Sequence, residues 1–178
     1  LHKNHFNKQI KYFEKNFSFF KCKDGLNSLR DRNKLILTFD DGLKEHLNIA
    51  KYLYKKNIKG IFFISTKPLM SKDFLTVHKI HLILGVLNIF EIRNLFKRFG
   101  LKDDFENSKF KIFKAQKKFL AKSNNKRKIK IHYKVKLNLL SQKNSKVIGK
   151  LFNYCFSKKK QKKIFKKFYL NIRDIIKI

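Results

Sequence analysis

The sequence predicts an α/β fold: one strand–helix–strand unit over residues 34–66, continued by a long helical insertion. Three observations predict it. Two short apolar runs, Lys34 to Phe39 and the "NIKGIFFIST" of 57–66, are bounded by turn residues, as buried strands are. Between them, residues 43–56 keep a helical period. The connections are short and the strands nearly all apolar, which favours parallel pairing through a crossover helix.

The elements follow in order. Phe6, Ile10, Phe13, Phe17 and Phe20 recur at spacings of 4, 3, 4 and 3, one face of a helix over 6–20. "CKDGLNSLRDRN", 22–33, is rich in turn residues, so 1–33 reads as a helix and a lead-in. Gly42 lets the chain turn sharply after the first strand. In the helix of 43–56, Leu43, Leu47, Ala50 and Tyr54 share a stripe. After Pro68 the chain becomes helical and basic, and 67–170 reads as an insertion. Residues 73–98 place Phe74, Val77, His81 and Leu84 on one face. Residues 105–122 read as a basic helix, 123–128 as a loop, and 129–137 alternate as a short strand would, with helix as the other reading. Residues 146–178 read as two helices, the first carrying "KKKQKK" at 158–163, and 171–178 as the return from the insertion.

A length of 178 residues suits one domain or part of one. The chain holds 45 Lys+Arg against 12 Asp+Glu, a formal charge of +33, which points toward anionic partners. The excess is mostly lysine and comes with many Asn, Ile and Phe, so codon bias explains it as well as a selected basic surface does. Hydrophobic residues make up 43%, enough for a core, which excludes a disordered tail. Cys22 and Cys155 fit no metal or redox spacing. There is no run of about 18 uncharged apolar residues, so no membrane span is expected. The chain opens without a signal-like apolar core, and a cytoplasmic and a cell-envelope location suit it equally.

The chemistry gathers at "LTFDDG", Leu37 to Gly42. Adjacent residues at a strand end point to different sides. Asp40 and Asp41 therefore suit two tasks at the mouth of a parallel sheet: one carboxylate on a divalent metal, the other as a base toward substrate. The rival reading is an Asp-Gly turn in which Asp41 caps the next helix.

This stretch resembles the first motif of the polysaccharide deacetylases of the NodB-homology group. The helix that follows and "GIFFI", 60–64, match that family's second strand. The resemblance covers about 33 residues closely. It implies a partial (β/α) barrel of the NodB-homology type and metal-dependent hydrolysis of acetyl groups, C–N bonds of non-peptide amides, on a carbohydrate. It implies Asp40 as general base, Asp41 as metal ligand, and a divalent metal, zinc first among them. An acetylated poly- or oligosaccharide is the implied partner, an anionic one included; no nucleic acid is expected.

The family's second motif, His-Ser/Thr-x-x-His, has no match. "TVHKIHLILG", 76–85, holds His78 and His81 three apart, with Lys79 between them and apolar helical flanks. Such a pair more often packs than ligates. Some family members resemble this chain through "VHKIHLILG" itself and carry a long helical insertion. It ends near a segment like "FYLNIRDIIKI", 168–178, with the histidine motif beyond. The resemblance thus implies an N-terminal part of a deacetylase, inactive alone. In that enzyme the insertion's lysines are expected to set a positive field over the catalytic mouth. His46 reads as a surface or packing residue, His132 as solvated, and His2 and His5 carry no signal. The competing function is a basic helical module on nucleic acid or an anionic membrane, carried by "KKKQKKIFKKF", 158–168.

Overall fold

The computed structural model describes residues 3–20, 33–100, 136 and 145–178. Over these residues the protein is mixed α/β, mostly helical, with two small sheets and no closed barrel. It divides into two compact units, Leu1–Lys72 with Ile164–Ile178, and Asp73–Lys163.

The first unit opens with α1, Lys3–Asn16. Its Ile10 is fully buried, and Phe6 and Phe13 pack beside it. The helix stops short of the expected 6–20. Asn16 turns its amide back onto the carbonyl of Tyr12, and the chain extends into β1, Ser18–Phe19. β1 pairs parallel with β2, Lys34–Leu35, in the register Ser18↔Lys34. Tertiary pairing overrides helical period here: Phe19 packs against the same core from a strand.

β3, Leu37–Phe39, pairs parallel with β4, Gly60–Phe62, in the register Leu37↔Gly60, Thr38↔Ile61 and Phe39↔Phe62. The parallel pair expected from the two apolar runs is present, while the expected single strand 34–39 breaks at Ile36 between β2 and β3. The Phe39 and Phe62 rings stack at 4.8 Å. Gly60 lets them close in: a Cβ there would lie 3.1 Å from the Phe39 ring and 3.2 Å from Leu53.

The crossover helix α2, His46–Lys55, begins three residues later than expected. Its inner face also differs. His46 and Leu53 are buried, with Ile49 and Tyr52 against the core, whereas Tyr54, placed on the inner stripe from sequence, is 84% exposed. The helix packs where Leu53 meets Gly60, a rotation that the period alone leaves undetermined. Lys56 at its end pairs with Glu14 of α1. A short α3, Thr66–Ser71, follows.

The second unit is helical. The expected helix 73–98 is two, α4 (Thr76–Val86) and α5 (Ile89–Arg98). Asn88 parts them: its side chain accepts from the Phe90 and Glu91 amides while Glu91 accepts from the Asn88 amide, a complete capping box. The buried residues are Phe74, His78, Ile80 and Ile83, whereas Val77 and Leu84 are half-buried and His81 is exposed. The inner face of α4 thus lies about a residue from the expected one.

Residues 146–178 hold three helices rather than two: α6 (Ser145–Cys155), α7 (Lys158–Phe168) and α8 (Ile172–Ile175). "KKKQKK" lies on the second, because the chain breaks at Phe156 and Ser157. α4 packs against α6, and Phe74, two residues before α4, sets its ring 5.2 Å from that of Phe152. Ile148, Leu151, Phe152 and Phe156 are buried on that face. The expected lead-in 22–33, helix 105–122, loop 123–128 and strand 129–137 fall outside the described residues, apart from Asn33 and Lys136.

Candidate functional site

The carboxylate pair sits where β3 ends and before α2 begins. Asp40 leaves the strand exposed to solvent. Asp41 is half-buried, and its backbone is left-handed, φ 73°. Gly42 follows, also left-handed at φ 65°. Two such residues in succession turn the chain sharply. Asp tolerates this conformation better than most side chains do, and Gly takes it freely. Gly42 is needed for a second reason: a Cβ would stand 3.1 Å from Ile64 Cγ2. The two carboxylates thus face different surroundings, Asp40 water and Asp41 the loop after β4. The Ser65 hydroxyl there donates to Asp41 Oδ1 at 3.5 Å.

The helix-cap reading of Asp41 is overturned. α2 starts at His46, with Glu45 at its N-cap position. Asp41 lies four residues before that cap.

His46, a surface or packing residue by its sequence, packs. It is 6% exposed, its ring 5.7 Å from Phe39 and 6.0 Å from Phe62. Its Nδ1 is buried without a hydrogen-bond partner among the described residues. Burial lowers its pKa, against the opposing pull of Glu45, Asp41 and Asp40. It therefore holds a neutral ring behind the carboxylate turn.

A second strip of chain lies on the same turn. The Leu170 amide donates to the Gly42 carbonyl at 2.9 Å, and the Lys44 amide to the Phe168 carbonyl at 2.8 Å. Leu43 and Tyr169 form an antiparallel bridge between these bonds. The Lys44 ammonium reaches the Asp174 carboxylate. Asp174 is buried and also accepts from the Asn171 amide at 2.9 Å, which with Asn171 capping the Asp174 amide closes a second capping box. These bonds, the cap first and Lys44 next, hold the Asp174 carboxyl below its ordinary pKa. Sequence reasoning missed this contact. The Asn-x-x-Asp cap spacing at 171–174 was visible, but its docking on Lys44 was not.

His78 and His81 lie on α4 in the other unit, with ring centroids 6.3 Å apart. His78 is buried. Desolvation, then Lys136 and His78, push the His81 imidazole pKa down. The Cys155 thiol is half-buried, and burial followed by the charge of Glu91 raises its pKa, which leaves little thiolate for chemistry.

Among the described residues no group of three His, Cys, Asp or Glu is arranged to hold a metal ion. A catalytic zinc takes three protein ligands. Asp41 with Asp40 therefore does not fit a complete metal centre by itself. No family model, curated protein or solved structure matches this chain. No described helix is long and apolar enough to cross a membrane.

Proposed function

We propose that this chain carries the carboxylate half of a metal-dependent carbohydrate deacetylase site, on the first strand–helix–strand unit of a (β/α) barrel of the NodB-homology type. The observation that supports it most is the pair Asp40–Asp41 at the carboxyl end of β3, in a parallel β3–α2–β4 unit. Ligands and catalytic groups in parallel α/β folds gather at that end of the strands. Asp40, exposed, is the general base. It takes a proton from water as the water adds to the acetyl carbonyl; return of a proton to the nitrogen as the C–N bond breaks releases acetic acid and the sugar amine. Asp41, turned toward Ser65, is the carboxylate offered to a divalent ion, zinc by the resemblance. Its remaining ligands would lie outside the described residues, and the described residues alone would hold the ion weakly.

The substrate is an acetylated poly- or oligosaccharide. Seven lysines on α7, at 158, 159, 160, 162, 163, 166 and 167, meet no carboxylate among the described residues. That unneutralised charge favours an anionic glycan. It equally supports the second reading, a basic helix on nucleic acid or an anionic membrane. Against a membrane, Phe165 and Phe168 of α7 both touch the ring of the buried Tyr169 and so are not free for insertion.

The test is a titration with Mn²⁺ followed by NMR line broadening. Broadening centred on Asp41 and Ser65, abolished by Asp41→Asn and kept in Asp40→Asn, is the expected result. Broadening centred on His78 and His81, or unchanged in Asp41→Asn, overturns the assignment.

A further inference from the structure

The carboxylate turn is held from the far end of the described chain. Asp41 and Gly42 are both left-handed, and a non-glycine residue keeps such a backbone only where its surroundings over-determine it. On the β4 side the surroundings are Ile64, against Gly42, and Ser65, on Asp41. On the other side they are Phe168 to Asp174. Two backbone bonds, Leu170 to Gly42 and Lys44 to Phe168, frame the Leu43–Tyr169 bridge. One charged contact, Lys44 to Asp174, closes the far end of that strip. The Asn171 amide donates to the Asp174 carboxylate at 2.9 Å, a contact within α8's own cap that does not involve Lys44. Asp174 is 7% exposed, and a carboxylate so placed without its cation would stand buried and incompletely paired.

We propose that Asp174 is a positioning residue for the Asp40–Asp41 pair: through Lys44 it latches the 168–174 segment onto the turn and fixes the left-handed backbone that sends the two carboxylates to different sides. The proposal rests on the reading of Asp40 and Asp41 given above for its functional meaning, but the latch itself is a property of the turn. Its parts have separate tasks. The backbone bonds set the register of segment against turn. The ion pair keeps the segment seated, because a charge-assisted bond is stronger than a neutral one. Asn171 keeps Asp174 ready. Lys44 stands three residues past Asp41, so its release frees the turn without touching either carboxylate directly.

The experiment uses the full chain, isotope-labelled, as wild type, Asp174→Asn, Lys44→Met and Lys44→Arg. Two signals are read: amide hydrogen exchange at Lys44 and Leu170 relative to Phe63, whose amide bonds to Phe39 within the β3–β4 pair, and the three-bond H–N–Cα–H coupling of Asp41, which reports its φ. In Asp174→Asn and in Lys44→Met, exchange at Lys44 and Leu170 should rise at least about tenfold while Phe63 stays as it is, the size expected when a hydrogen bond to a charged group is lost. The Asp41 coupling should move toward an averaged value. Lys44→Arg, which keeps the charge, should restore both. A carboxylate that only caps α8 would change α8 and leave the Asp41 coupling untouched. If Asp174→Asn unfolds the first unit, Lys44→Met decides alone, since it leaves the Asn171–Asp174 cap intact. Wild-type exchange at Lys44 and Leu170 in Lys44→Met, or an unchanged Asp41 coupling, overturns the proposal. Neither signal needs metal or turnover, so a failed latch and a failed assignment of Asp40 and Asp41 are separately visible.

Discussion

The imidazole of His46 lies 5.7 Å from the ring of Phe39, in the apolar layer directly behind the turn that carries Asp40 and Asp41. A neutral ring suits that layer; a charged one does not.

The pH dependence of folding follows from this contact. Burial lowers the folded-state pKa of His46 below its ordinary 6.5. The unfolded chain therefore takes up this proton more readily than the folded one. The stability that the neutral ring supports is fully present above pH 6.5 and is lost as pH falls through the lower folded value. Urea unfolding at pH 7.5 and pH 5.5 should show the wild type weaker at the lower pH, and His46→Phe should lose much of that difference. An identical pH dependence in His46→Phe would show that the ring is not the source.

Gly42→Ala should destabilise the first unit. A Cβ at φ 65° meets the steric cost of a left-handed residue, about 1–2 kcal/mol, before any clash. Ile64 Cγ2 stands 3.1 Å away and must shift as well. The expected change is a lower urea midpoint with an unchanged slope. A midpoint equal to wild type would mean that the turn relaxes freely.

The two sides of α2 separate the observed inner face from the one read in sequence. Leu53 is 2% exposed and Tyr54 is 84% exposed. Leu53→Ala should cost about 2–5 kcal/mol, as deletion of a buried leucine does. Tyr54→Ala should stay within about 0.5 kcal/mol of wild type, as exposed substitutions do. Comparable losses in both would contradict the packing of this helix.

The two aspartates should differ in kind. In a chain that supplies the remaining metal ligands, Asp40→Asn should lower turnover by about 10²–10⁴-fold, the usual contribution of a general base, with metal affinity kept. Asp41→Asn should lower metal affinity first. Parallel zinc titrations and assays on an acetylated amino-sugar oligomer read both effects. The opposite pattern would exchange the two roles.

The β3–α2–β4 unit, and Asp40 and Asp41 at the end of its first strand, are legible in the order of residues alone. Short apolar runs, a 3.6 period and an Asp-Asp-Gly turn are local signals, and each is fixed by residues within a few positions of one another. The break at Asn88 inside the expected helix 73–98 came only with the structure, where Asn88 and Glu91 close a capping box. The remaining features depend on contacts between elements far apart in the chain. Which side of α2 turns inward depends on Gly60 admitting Leu53, and that is a contact between separate elements. The chain leaves the expected helix before Phe17 and runs Ser18–Phe19 as a strand because β2 offers it a partner. The contact of Lys44 with Asp174 joins residues 130 positions apart, and no local pattern encodes a pairing whose register is set by the fold between them.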